Sequence, residues 1–176
     1  MSVPTECFKD TLAIVATAVS VVGTVDGNGI PWTVTIGSLC ALSLDPPLVL
    51  FCLARATGSH AVFCSAKRFA VTVLTEDQAD VARQCAGPAM ARSSVPLAFV
   101  DGLPVVSAAA AHLFCSTHQR IPGGDHTIII GEVQRTAVHH GSPLIYHQRT
   151  FRGLRTAATV SRDAQRLGTQ HGVQPV

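Results

Sequence analysis

Val19-Ser-Val-Val-Gly-Thr-Val25, Asp26-Gly-Asn-Gly29 and Ile30-Pro-Trp-Thr-Val-Thr-Ile36 form one continuous stretch. Val19, Val21, Val22 and Val25 are β-branched, and side chains stiff at χ1 suit a pleated strand better than a helix. Asp26-Gly27-Asn28-Gly29 supplies the residue types that tight hairpin turns require. Ile30 to Ile36 then reads as the return strand. A β-hairpin therefore stands close to the start of the chain, and it sets the terms on which its neighbours are read.

Upstream of the hairpin the period is different. Phe8, Leu12 and Val15 recur at helical spacing behind Pro4 and Thr5. Pro4 fits the entry of a helix and Thr5 is a candidate cap. Downstream, Leu39 to Leu44 reads as a strand ended by Asp45-Pro46-Pro47, since a Pro-Pro pair cannot donate to a ladder. Leu48-Val-Leu-Phe-Cys-Leu53 is an unbroken apolar run and predicts a strand buried on both faces. Gly58-Ser59 opens a short helix over His60–Ala66, with Ser59 as its candidate N-cap. Phe69–Leu74 is a further strand. Thr75-Glu-Asp-Gln78 has the capping-box pattern, so a helix should follow to about Cys85.

Gly87 to Gly102 has little periodicity and reads as an irregular connection. Alternation around Leu113, Cys115 and Thr117 predicts a strand within Ala108–Gln119. Ile121-Pro-Gly-Gly-Asp125 reads as a loop. His126–Val138, rich in Ile, Val and Thr, reads as a long strand. Leu144–Tyr146 and Thr150–Leu154 are short closing elements. The total is about seven strands with two or three short helices, following one another too closely for βαβ units. Antiparallel pairing is the consequence, and a small closed barrel is the economical way to hide sheet edges. Residues 1–154 make one domain, and the polar, Gly- and Gln-containing stretch 155–176 is a tail.

Composition bounds the function. The chain has 176 residues, 47% apolar and only 14% charged. A chain this apolar can bury a core, which excludes wholesale disorder. Its apolar runs are far shorter than the ~20 residues that cross a bilayer, so no membrane partner is expected. A net charge of +2 with no Lys/Arg cluster excludes a nucleic-acid partner. The scarcity of charge also implies apolar surface covered by a second subunit or a large ligand. Six cysteines could form a disulfide set by count, but Cys40, Cys52, Cys64 and Cys115 each lie among apolar residues. They read as buried thiols of a reducing cytoplasm. Met1–Asp10 lacks the long apolar segment of a signal peptide.

The residues allow few chemistries. There is no GxGxxG, no GxxxxGK[ST] and no GxSxG, so Rossmann, Walker and α/β-hydrolase sites have no support. Eight histidines invite a metal, but their spacing gives no ligand set. Thr33, Thr35 and Ser38, with Arg55 and the helix start at Ser59, could make an anion site. Equally, the threonines are simply good strand residues and Ser59 only a cap. His126 follows Gly123-Gly-Asp125, where a loop enters a strand. It is either a structural histidine or one that orients a substrate or donates a proton.

Three stretches carry a resemblance. Pro31-Trp-Thr-Val-Thr-Ile-Gly-Ser-Leu-Cys-Ala-Leu-Ser-Leu-Asp-Pro-Pro-Leu-Val-Leu-Phe-Cys-Leu53 is the first. Phe69-Ala-Val-Thr-Val-Leu-Thr-Glu-Asp-Gln78 is the second, and Gly124-Asp-His-Thr-Ile-Ile-Ile-Gly-Glu-Val133 the third. With Pro143-Leu-Ile-Tyr146 and Phe151-Arg-Gly-Leu154 they cover roughly Phe8 to Leu154. Together they resemble the flavin reductase-like family, the split-barrel reductases of two-component monooxygenases. The resemblance implies a mainly β fold with short helices, an antiparallel, Greek-key split β-barrel. It implies a homodimer with flavin near the subunit interface, FAD or FMN reduced by NADH and in some members NADPH, and a monooxygenase partner that receives the reduced flavin.

The family's flavin-ring segment falls on Thr33, Val34, Thr35, Ile36, Gly37 and Ser38. Its phosphate-holding segment falls on Cys52, Leu53, Ala54, Arg55 and Ser59. Its Gly-Asp-His falls on Asp125 and His126, with His126 on the nicotinamide side as the residue implied in catalysis. Three places depart from the family: Thr33 replaces a glycine, Gly37 replaces the usual asparagine, and Arg92-Ser93 stands where an Arg-Phe commonly follows the second helix. A flavin-binding barrel with little turnover, and a small-molecule barrel with no redox role, are the competing functions.

Overall fold

The computed structural model describes residues 3–87 and 95–154. Arg92-Ser93 and the tail expected at 155–176 lie outside the described residues.

The opening hairpin forms as its residues dictate. β2 (Ser20–Val25) pairs with β3 (Pro31–Ile36), Val22 opposite Val34. Asp26 fixes the turn. Its carboxylate accepts from the Asn28 and Ile30 N–H groups and from the Trp32 indole at 3.1 Å. These bonds hold the Asp26 carboxyl below its ordinary pKa. Gly29 takes φ +78°, which glycine adopts without a Cβ penalty.

α1 (Thr5–Ala13) starts behind Pro4, as expected, but no side chain caps it. α2 (His60–Ser65) and α3 (Ala79–Ala86) also stand where the sequence puts them. Half of the predicted capping box forms: Gln78 Oε1 accepts from the Thr75 N–H at 3.0 Å, while the Thr75 hydroxyl turns to Asp77.

The remaining strands are β1 (Thr17–Ala18), β4 (Cys40–Leu44), β5 (Pro47–Ala54), β6 (Arg68–Val73), β7 (Leu97–Val100), β8 (Leu103–Val106), β9 (Ala111–Gly123), β10 (His126–Val138), β11 (Ile145–His147) and β12 (Thr150–Arg152). With β2 and β3, five of these form one seven-stranded antiparallel sheet in the order β3-β2-β6-β9-β10-β5-β4. The chain leaves β5 through α2 and re-enters as β6 between β2 and β9, so the path is a Greek key, not a meander. The fold is the mainly β split barrel. β3 and β4 remain at the two ends of the ladder, so the barrel is split there and not closed by pairing.

β2 is buried on both sides. One side joins Val34, Ile36, Phe51, Phe63, Phe69 and Ile129 in the barrel core. There Phe51 meets the edges of Phe63 and Phe69, with centroids 6.4 and 5.4 Å apart. The other side presents Val19 and Val21 to Leu74, Ala82, Val106 and Leu144 under α3.

Four expectations need correction. β5 is buried on one face only: Val49, Phe51 and Leu53 are buried, while Leu48, Leu50, Cys52 and Ala54 are half-buried. Among the described residues its second face is only partly covered. The connection Gly87–Gly102 contains a strand, because Val100-Asp101-Gly102-Leu103 turns a hairpin between β7 and β8, with Asp101 and Gly102 at φ +51° and +76°. Asp-Gly between apolar runs is the signal that identifies it. Ile121–Gly123 belongs to β9, which pairs with β10 as far as His126, so the loop shrinks to Gly124-Asp125. Finally, Cys40 is exposed, because β4 is an edge strand exposed along its length apart from the half-buried Ser43.

Candidate functional site

The end of β3 and the end of β5 meet at the split. Ser38 joins them: its hydroxyl accepts from the Cys52 N–H at 3.0 Å and lies 3.4 Å from the Cys52 carbonyl. Two residues on, Ala54 stands opposite His126 in the β5–β10 ladder. The Arg55 N–H donates to the Asp125 carbonyl at 2.9 Å. One line of backbone therefore carries Ser38, Cys52, Ala54, Arg55, Asp125 and His126 along a single edge of the barrel.

Asp125 sets the histidine. His126 Nδ1 lies 2.7 Å from Asp125 Oδ1. An ionised carboxylate only accepts, so Nδ1 carries the proton and Nε2 is left facing away from this bond. The hydrogen bond from His126 is the main cause that lowers the Asp125 carboxyl, followed by the imidazole's charge and, last, the Arg55 charge. The Asp125 side chain is 92% exposed and that of His126 43%. The pair is thus a rim feature that a ligand can reach.

Ser59 sits at the start of α2 with none of its surface exposed, and among the described residues its hydroxyl has no hydrogen-bond partner. It is the residue before the helix, but it does not cap it. Beside it, His60 Nε2 meets Thr127 Oγ1 at 2.9 Å, which ties α2 to β10.

The threonines of β3 behave differently from Ser38. Thr33 is 2% exposed and stands opposite Gly23. Thr35 donates its hydroxyl to the Ala82 carbonyl of α3 at 2.7 Å. Both face the α3 and β8 side, away from Val34 and Ile36 in the core. The anion device drawn from Thr33, Thr35 and Ser38 is therefore not assembled as one cluster. The bulk of Thr33 is absorbed in packing and does not project over the barrel edge.

A cleft of about 600 Å³ opens beside Thr35, Ile36 and Gly37, walled by Val19, Arg83 and Phe151 among others. Arg83 stacks 5.2 Å above the Phe151 ring and pairs with Asp80 at 2.6 Å. Gly37, the residue before Ser38, lines this cleft, whereas Ser38, Cys52, Arg55 and His126 do not. A second hollow of about 580 Å³ lies between Thr24–Gly27, Ser65–Arg68 and Asp101–Leu103 and contains none of the predicted site residues.

A flavin reductase-like domain model matches residues 12–155 of this sequence. The chain belongs to the flavin reductase-like domain family. Among relatives of the family, the actinorhodin polyketide dimerase of Streptomyces coelicolor is 38% identical over 154 residues, covering 86% of this chain and 87% of that protein. The FMN reductase (NADH) SmoA of Agrobacterium fabrum is 34% identical, covering 82% and 83%. Among solved structures, the NADH:FAD oxidoreductase SgcE6 of Streptomyces globisporus C-1027, in complex with NAD and FAD fragments, superposes with a TM-score of 0.80. It is 31% identical, with 86% of this chain and 93% of that chain covered.

Against the expectations drawn from the family's motifs, the structure brings Ser38, Cys52, Ala54, Arg55, Asp125 and His126 to one edge. Leu53 and Val34 point into the core with 2% and 6% exposure, so only their backbone faces the edge. Sequence reasoning missed the wall formed by Arg83, Tyr146, Arg149 and Phe151. Tyr146 and Phe151 lie in stretches that resemble the family's ending. Their place beside Gly37 depends on β11 pairing with β1, a contact between distant parts of the chain.

Proposed function

We propose that this protein is an NAD(P)H:flavin oxidoreductase that reduces FMN or FAD and passes the reduced flavin to a monooxygenase component. The observation that carries the proposal is the single barrel edge where Ser38, Cys52, Arg55, Asp125 and His126 converge; Gly37, next to Ser38, lines an apolar cleft.

The residues fit a flavin. The cleft beside Gly37 has the size and apolar walls that a planar ring system needs. The buried, unpartnered hydroxyl of Ser59 is an acceptor–donor group that suits a phosphate oxygen. When bound, flavin supplies the hydride acceptor for reduced nicotinamide. The chain's own residues do the rest. Thr33 to Ser38 would provide the strand beside the ring, and the backbone N–H groups of Ile36 to Ser38 would be donors for its electron-rich edge. Cys52, Leu53 and Ala54 form the floor, and Arg55 with Ser59 holds the phosphate. Asp125 keeps Nδ1 of His126 protonated, so Nε2 is presented toward the nicotinamide side to orient it.

Relatives support the partner class: one is named as the reductase component of a 4-nitrophenol monooxygenase and another as the reductase subunit of a flavin-dependent monooxygenase. The working form is a homodimer, since β4 leaves Leu42 and Leu44 exposed on an unpaired edge. Unpaired thiols at exposed Cys7 and Cys40 suit the reducing cytoplasm. Among the described residues, no helix is long and apolar enough to cross a membrane.

The test is NADH consumption by the purified protein with FMN or FAD added. Saturable turnover is expected with at least one flavin. A yellow protein that consumes no NADH would reduce the function to flavin binding, and a protein that binds neither flavin would sink the proposal.

A further inference from the structure

Gly37 lines the cleft one residue before Ser38, and its missing side chain is accounted for by a neighbour. A Cβ at Gly37 would stand 2.8 Å from Thr17 Oγ1 and 3.6 Å from Thr17 Cβ. Backbone strain does not demand glycine here, since Gly37 is not among the positive-φ residues. The demand is space, and Thr17 fills it with a hydroxyl.

Most polar side chains around this corner already have partners. Thr35 donates to the Ala82 carbonyl, and Thr150 to the Gln148 carbonyl. Arg83 pairs with Asp80 and Arg149 with Asp10. Ser38 is engaged by Cys52. Thr17 and Tyr146 differ. They are direct cross-strand partners in the β1–β11 ladder, so their side chains share one face. Among the described residues neither hydroxyl has a hydrogen-bond partner. Thr17 is half-buried and pressed against Gly37, while Tyr146 lines the cleft itself. A half-enclosed hydroxyl beside a cleft gains by bonding whatever polar group enters it, because its access to water is restricted.

We infer that Thr17 is a ligand-positioning residue, whose hydroxyl takes the place of a side chain at position 37 and hydrogen-bonds the polar edge of a flavin ring lying along Ile36–Ser38. The inference rests on the flavin-reductase function proposed above and adds a residue from β1 to that site. It also gives β1, only two residues long, a reason for its position: the β1–β11 pair carries Thr17 to Gly37.

The experiment measures the Kd for oxidised FMN and FAD by quenching of flavin fluorescence, without NADH, together with the melting temperature. Thr17→Val keeps the shape and removes the hydroxyl. It is expected to weaken the better-bound flavin about tenfold, the scale of one lost hydrogen bond to a polar ligand, with the melting temperature unchanged. Thr17→Ser keeps the hydroxyl and is expected to bind within about twofold of the unmodified protein. Equal affinity of Thr17→Val and the unmodified protein would overturn the inference. If valine also lowers the melting temperature, the serine variant decides: retained affinity supports a hydroxyl contact, and a loss as large as that of valine overturns it. Absence of flavin binding in the unmodified protein is a different outcome, because it removes the proposed function itself.

Discussion

At the scale of single residues, His126 and Gly131 show how β10 serves both the site and the fold. His126 is held by one short bond to a carboxylate that is nearly all exposed. Removing the imidazole should therefore leave the fold intact and act on the nicotinamide side. His126→Ala is expected to raise the KM for NADH about tenfold or more while moving the flavin KM much less. Steady-state kinetics with each substrate varied in turn checks it, and an unchanged NADH KM removes the role assigned to His126. Five residues along the strand, Gly131 stands against the core. A Cβ there would run into the Phe69 ring, with Cys115 Cβ at 3.0 Å. Phe69 is 1% exposed and braced by Phe51, so the ring has nowhere to go. Gly131→Ala should cost about 1–3 kcal/mol through overpacking, read as a lower denaturant midpoint. A midpoint equal to that of the unmodified protein would show that the core yields there. Burial also acts on thiol chemistry nearby: Cys115 is pushed up to about 12 by desolvation, which makes it inert as a nucleophile.

At the scale of elements, the β2–β3 hairpin depends on Asp26. Because its carboxyl is lowered in the fold by the Ile30, Trp32 and Asn28 bonds, the folded state favours the ionised form. The resulting stabilisation is present above the unfolded carboxylate value and is lost as pH falls through the folded one. Asp26→Ala should melt at a lower temperature than the unmodified protein at neutral pH. The gap should narrow below about pH 4. Melting curves at several pH values check this, and a gap independent of pH would mean the turn is held by its glycines alone. The hairpin is also the clearest case of structure legible in sequence, because its β-branched residues and turn chemistry are local. The same holds for α3, announced by Thr75–Gln78, and for β10. The β7–β8 hairpin escaped the sequence reading, because its signal, Asp101-Gly102, is short and follows a stretch without periodicity. β5 misled for a different reason. An unbroken apolar run states that both faces avoid water, not whether the second cover comes from the same chain. The site divides the same way. Gly124-Asp-His126 sits on one tight turn and could be read directly. That Thr35 is bound by α3, and that Tyr146 walls the cleft, depend on pairings across the whole chain.

At the scale of the molecule, the low charge content becomes a question of where apolar surface goes. β4 is an edge strand with Leu44 93% and Leu42 46% exposed. Its pairing partner β5 adds Leu48 and Leu50, half-buried and opposite Ser43 and Cys40. Soluble proteins seldom leave a flat apolar edge open, because it invites further pairing and aggregation. This patch runs along β5 into Cys52 and Ala54, so a subunit seated on it would also border the proposed flavin site. A stable homodimer needs more than about 1,000 Å² of buried surface, and the β4–β5 edge, with apolar side chains on both of its faces, is a region from which to build it. Sedimentation of the full chain should give a species of twice the 18.4 kDa chain mass. Leu42→Asp together with Leu44→Asp should shift that species toward the monomer, since two carboxylates on the covered edge would be desolvated without partners. Both side chains are exposed in the single chain, so the variant's subunit should keep its far-UV circular dichroism. Flavin affinity should fall with the loss of the dimer, because the same face adjoins Cys52 and Ala54. A variant that sediments as the unmodified protein would move the interface elsewhere, with the exposed Phe8, Leu12 and Val15 of the N-terminal segment as the next face to test.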